Sequence, residues 1–174
     1  VESSQITNRR TMVNNFYMKS NAMLNALKSV IGDANLSLYL QGFIQTWAGK
    51  HPTPYDFFNY VNHKSMVNLN WFWNRWAFQF GSVDLEIITA TKNNFQVLNK
   101  GGRPVPFKVE MKLEDGALYE EVYNAGIWEE NEKVTLAVPE HLSVQKITLT
   151  VTNNIFETTT SNNTLEMGVS KQAN

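Results

Sequence analysis

The chain contains no cysteine, which excludes both a disulfide framework and a thiolate metal site. No run of about 18 apolar residues occurs, so nothing reads as a membrane-spanning helix. Basic residues are not gathered into the dense stripe that nucleic-acid binding needs. Histidine is sparse: His51, His63 and His141 are the whole set, and none stands in an H-E-x-x-H or H-x-H arrangement. A zinc site needs several convergent ligands, and these three sit in a Pro-flanked loop, near a helix end and in a turn. Each reads as an ordinary solvated or structural histidine. There is no G-x-S-x-G elbow and no phosphate-cradling glycine loop. Chemistry complete within these residues is therefore not expected, and neither is a cofactor or metal held by them.

What is present is apolar and aromatic. Hydrophobic residues make up 43% and aromatics 12% of 174 residues, enough core for one domain or two small ones. Charge divides the chain. Residues 1–79 carry seven Lys/Arg against three Asp/Glu, net +4, and residues 80–174 carry eight against thirteen, net −5. Docking of the two halves is favoured weakly by this, since exposed charges are screened within about 10 Å. Four of the five tryptophans, Trp47, Trp71, Trp73 and Trp76, lie between residues 47 and 80. A packed tryptophan buries on the order of 200 Å², so this stretch predicts a packed junction and not a solvated linker.

Before the junction the period is helical. From about Met12 to Ile31, Phe16, Met23, Leu24, Leu27, Val30 and Ile31 mark one face of a helix. Gly32 fits its stop, with Asp33 as cap of the next helix, whose apolar face is Leu36, Leu40, Phe43, Ile44 and Trp47. Thr53, Pro54 and Asp56 form a capping-box start for a third helix burying Phe57, Phe58 and Val61. Asn68 or Asn70 caps a short fourth through Trp76. Short links predict antiparallel stacking.

After it the period is two. Residues 107, 109, 111 and 113 alternate with charged neighbours, and Asp115-Gly116 turns into Leu118–Tyr123. Further strands are predicted at Leu85–Thr91, Phe95–Leu98, around Val134 to Val138 and around Ile147 to Val151. Gly101-Gly102 reads as a hairpin turn, and the Thr/Ser/Asn-rich tail from Thr158 as the end of the fold. The fold class expected is α+β: a helical bundle over residues 1–80, then an immunoglobulin-like β-sandwich over residues 81–174.

Three motifs carry a resemblance. Phe16-Tyr17-Met18-Lys19 followed by a helix ending Ile31-Gly32-Asp33, then Trp47-Ala48-Gly49-Lys50-His51-Pro52-Thr53-Pro54-Tyr55-Asp56-Phe57-Phe58, then Asn70-Trp71-Phe72-Trp73-Asn74-Arg75-Trp76, resemble in order and spacing the end of the catalytic domain in aminopeptidase N-like zinc metallopeptidases (gluzincins). The Asn-Lys-Gly-Gly-Arg-Pro-Val-Pro stretch at 99–106 is similar to the β-domain appended in bacterial members. The resemblance implies that Tyr17, at the tyrosine of the family's Tyr-x-Lys-Gly motif, donates to the oxyanion formed as zinc-activated water attacks a peptide carbonyl. Ser20 departs from the motif, which has glycine there. Lys19 reads as a solvated helix residue.

The chain starts at Val1 without methionine or a signal pattern. The expectation is a C-terminal fragment whose zinc motif and general base lie upstream. It would have no metal site of its own, the upstream catalytic domain of the same chain as partner, a peptide as substrate of the whole protein, and an extracytoplasmic location as in bacterial sandwich-bearing members. Other readings stand beside it. One is a non-enzymatic binding module presenting Tyr119, Tyr123 and Trp128, and another is a family member whose zinc ligands have decayed.

Overall fold

A computed structural model describes residues 17–167. The first apolar positions of the first helical face, Met12 and Phe16, lie outside the described residues. Four α-helices come first among these: α1 (Lys19–Ile31), α2 (Asp33–Trp47), α3 (Pro54–Ser65) and α4 (Asn70–Trp73). A π-helical turn, Asn74–Phe78, continues α4. Its Gln79 N–H donates to the Asn74 carbonyl, five residues back, at 2.9 Å.

Helix boundaries follow the sequence closely, with two differences at helix starts: Leu69 precedes α4, so neither Asn68 nor Asn70 is its cap, and the cap of α2 also shifts. Gly32, at φ 87°, both ends α1 and precedes α2. Asp33 is the first residue of α2 rather than its cap, and it pairs with Lys28 at 3.0 Å. On α2, Leu36 is buried and Leu40, Phe43 and Trp47 are half-buried, whereas Ile44 is exposed. The capping box of α3 forms as expected: the Asp56 N–H donates to Thr53 Oγ1 and the Thr53 N–H donates to Asp56 Oδ2.

Seven strands follow: β1 (Leu85–Ala90), β2 (Asn94–Asn99), β3 (Phe107–Leu113), β4 (Leu118–Tyr123), β5 (Lys133–Ala137), β6 (Val144–Val151) and β7 (Thr164–Glu166). They make two antiparallel sheets, ordered β1-β2-β5 and β4-β3-β6-β7. The inward residues of both, among them Leu85, Ile87, Phe95, Val97, Phe107, Val109, Met111, Ile147 and Leu149, join one buried core with Leu27, Phe72, Trp76 and Trp128. β1 lies against β6 and β7.

One expectation fails here. The stretch after Asn99 is not a hairpin: β2 belongs to one sheet and β3 to the other, so residues 100–106 cross between sheets. Its close approach to residues 82–84 explains the glycine. A Cβ on Gly101 would meet the Ser82 carbonyl oxygen and lie 2.7 Å from the Asp84 nitrogen. Within the tail from Thr158, residues 164–166 form the last described strand, β7, with Asn163 and Leu165 buried. Only three residues pair in β7, too few for an alternation to register.

The helical and sheet parts are stitched by side chains bonded to backbone. Trp76 Nε1 donates to the Pro104 carbonyl at 3.0 Å and Trp128 Nε1 to Val105 at 2.8 Å. Arg75 Nη1 donates to the Trp128 carbonyl at 2.7 Å, and Ser29 Oγ accepts from the Ala125 N–H at 3.0 Å. Arg103, 7% exposed, reaches back from the sheet side: Nε donates to Gly81 at 3.0 Å, and Nη1 to Arg75 at 3.1 Å and Trp76 at 2.7 Å. Its guanidinium lies 5.1 Å from the Trp76 ring centroid.

Candidate functional site

Tyr17 begins the described chain, one π-helical step before α1, and is 69% exposed. Met18 beside it is exposed and Ser20 is exposed. Lys19 differs from the solvated residue expected. It is half-buried, and burial, with the Arg103 charge nearby, lowers its pKa from the usual lysine value. The head of α1 therefore combines a phenol open to solvent with a cationic, partly desolvated flank.

His51, His63 and His141 are all exposed and lie on separate elements. Among the described residues no group of three or more His, Asp or Glu gathers as a metal site would need. No helix among them is long and apolar enough to cross a membrane.

On the helical side, a groove of about 500 Å³ opens between α3, α4 and the π turn. Its walls are aromatic: Tyr55 stacks on Phe78 with centroids 5.5 Å apart, and Phe58 stacks on Trp73 at 4.6 Å. Trp73 is held by its Nε1 donating to Asn62 Oδ1 at 2.8 Å, and Asn62 Nδ2 in turn donates to Asn70 Oδ1 at 2.8 Å. Trp71, also lining the groove, has a buried Nε1–H with no acceptor. Tyr55 and Phe78 are exposed. The sequence signalled the aromatics here but not which of them would face outward.

The aromatic contacts considered for a binding module behave differently. Trp128 is fully buried, packed against Phe107 at 5.4 Å. Tyr119 and Tyr123 are half-buried and both donate to Glu121, from either side of it on β4. Burial first, and the Glu121 carboxylate second, push the Tyr123 phenol well above its ordinary range. These three residues are chiefly spent on internal packing.

A polar cluster the sequence reading missed sits where β1 begins. Glu157, 8% exposed, accepts from the Leu85 N–H at 2.7 Å and from Asn163 Nδ2 at 2.6 Å. Next to it Asn162 Nδ2 donates to Asp84 Oδ1 at 2.9 Å. Burial raises the Glu157 pKa, and the Asp84 charge adds to the rise against the two hydrogen bonds. No sequence pattern marks it: Glu157 follows Ile155-Phe156 in a loop, 73 positions from Asp84.

No protein-family model matches the chain, and no curated protein sequence matches it. Among solved structures it is similar to the Legionella pneumophila aminopeptidase A crystallised in complex with aspartic acid, with 19% identity and a TM-score of 0.50. The match covers 71% of this chain and 15% of that one. At that identity the likeness is one of fold alone.

Proposed function

We propose that this chain is the C-terminal part of a zinc-dependent metallopeptidase of the aminopeptidase N-like, gluzincin type. In this reading residues 1–80 complete the helical end of the catalytic domain, and residues 81–174 form an immunoglobulin-like β-sandwich. The observation that carries it is the fold likeness to an aminopeptidase over 71% of the chain, and the order of the three motifs at residues 16–76 points the same way. Zinc, its ligands and the general base belong to the catalytic domain upstream. The peptide substrate meets this chain only at Tyr17, whose exposed phenol donates to the oxyanion.

The aromatic groove supports the same reading. Exposed aromatic faces of Tyr55 and Phe78 on the groove suit a surface that the upstream catalytic domain covers in this reading. A hot-spot role for Trp128 is disfavoured by its complete burial.

The test uses the whole protein. Tyr17→Phe lowers kcat for an aminoacyl-anilide by about 10²-fold or more, with KM changed little, because the donor acts only as negative charge develops. The 174-residue chain alone hydrolyses none of it. Unchanged turnover in the Phe variant removes Tyr17 from the mechanism, and metal-dependent hydrolysis by the chain alone refutes its assignment as a partial catalytic unit.

A further inference from the structure

β4 ends its sheet, paired with β3 alone. Which of its backbone groups face outward follows from the turn before it. The Leu113 N–H donates to the Ala117 carbonyl at 2.9 Å, so the bonded pairs of this antiparallel ladder recur at every second residue: Met111 with Tyr119, Val109 with Glu121, Phe107 with Tyr123. The N–H and C=O groups of Leu118, Glu120 and Val122 therefore point away from β3. Among the described residues no other backbone group bonds to them. Leu118 and Val122 are also 63% and 71% exposed, on the sheet face opposite the half-buried Tyr119, Glu121 and Tyr123. Bare donors and acceptors beside exposed apolar side chains make a template for another strand.

We propose that this edge pairs with a second copy of the chain, antiparallel β4 strands joining two four-stranded sheets across a two-fold axis. Outward groups can meet only where even-numbered residues face even-numbered residues. With Glu120 on the axis, Leu118 faces Val122 of the second copy, and Val122 faces Leu118 of the second copy. All three N–H and all three C=O groups of each edge then find partners. On the inner face Tyr119 lies opposite Glu121 of the second copy, a phenol against a carboxylate that already accepts from Tyr119 within its own chain. Sliding the strands by two residues either sets Leu118 against Glu120 or brings the two half-buried Glu121 side chains face to face. The centred register avoids both, and the two-fold axis makes each of its favourable pairs occur twice.

That reciprocity is the reason for assigning the edge to a second copy: one short strand supplies both halves of every pair. A single pair opposes it, Glu120 against Glu120 of the second copy, since like charges directly opposite repel. Each carboxylate is held by its own Lys108 at 2.8 Å, which also lies 3.4 Å from Glu110, so the repulsion is softened and not removed. Only the six residues of β4 pair, against about 20–30 per side in a standard interface. The dimer is accordingly weak, with Kd on the order of 100 µM. Nothing in it depends on the peptidase reading.

Sedimentation equilibrium of the 174-residue chain, from about 10 µM to about 1 mM, tests it by a mass that rises from one chain toward two. Val122→Pro removes only an outward N–H and leaves the β3 ladder intact. Leu118→Lys sets a charge against Val122 of the second copy. Both variants stay folded and weaken the dimer by about tenfold or more, while Glu120→Gln, relieving the like pair, tightens it about two- to fivefold. The chain has no cysteine, so one introduced thiol reports the register. Glu120→Cys forms a disulfide-linked dimer on oxidation, its paired Cα atoms lying about 5.5 Å apart. Leu118→Cys does not, because its counterpart sits about 13 Å along the strand. A mass of one chain throughout the range overturns the proposal and leaves the edge to a strand of another protein. So does a dimer unaltered in both Val122→Pro and Leu118→Lys, or Leu118→Cys cross-linking as fast as Glu120→Cys.

Discussion

Removing the Arg103 guanidinium tests how the helical and sheet parts hold together. Its three donors meet the carbonyls of Gly81, Arg75 and Trp76. Hydrogen bonds from a charged donor contribute about 1.5–3 kcal/mol each, but burying the guanidinium without a carboxylate costs several kcal/mol in return. Burial indeed holds its pKa below the ordinary arginine value. Arg103→Ala is relieved of that desolvation cost on folding, which offsets part of what it loses. In the folded state it leaves the Trp76 carbonyl buried without a donor and the Arg75 and Gly81 carbonyls partly so. It also strips the stem and the ring contact from Trp76. Taken together the loss is about 3–4 kcal/mol, which for a chain of this length lowers Tm by roughly 10 °C. Arg103→Met keeps the stem and loses less, and Arg103→Lys, reaching one carbonyl, loses least. Urea unfolding followed by tryptophan fluorescence gives the order directly. If the alanine variant lies within about 1 kcal/mol of the parent, desolvation cancels the bonds and the guanidinium does not join the two parts.

Glu157 makes stability depend on pH in a definite sense. Its folded pKa is raised above the usual 4.5, so its favourable contribution is complete below that value and is lost as pH rises through the folded pKa. The parent therefore loses stability relative to Glu157→Gln from about pH 4.5 upward, whereas parallel curves refute the shift. Gly101→Ala forces a Cβ onto the backbone of residues 82–84 and destabilises by more than about 2 kcal/mol, read as a lowered urea midpoint; an unchanged midpoint means the crossing is looser than drawn. Thr53→Ala removes one half of the α3 capping box and costs about 1 kcal/mol, a fall in Tm of about 2–4 °C.

Periodicity made six strands and the helices legible, because the Phe107–Leu113 alternation and the Thr53-Pro54-Asp56 start depend on neighbours within a few residues. What stayed hidden depends on distance in sequence. Arg103 looked like part of a glycine turn, yet its partners lie more than 20 residues upstream. Glu157 and Asn163 looked like tail, since nothing local says that Leu85 will meet them. Ile44 fits the α2 stripe but is exposed, because a period names a face without naming what covers it. Tyr17 was conspicuous only through the motif it resembles; its solvent exposure could not be read from residues 16–20.

The stitching between the two parts has an asymmetry with an evolutionary reading. On one side stand two indoles and two guanidiniums, which few residue types can replace. On the other stand the carbonyls of residues 75, 76, 81, 104, 105 and 128, which any amino acid supplies. Drift at an acceptor position that contributes no donor of its own, such as Pro104 or Val105, leaves the acceptor in place, while drift at Arg75, Trp76, Arg103 or Trp128 deletes a donor. Descendants of such a chain can diverge widely in wording and keep the same joint, provided those four letters persist.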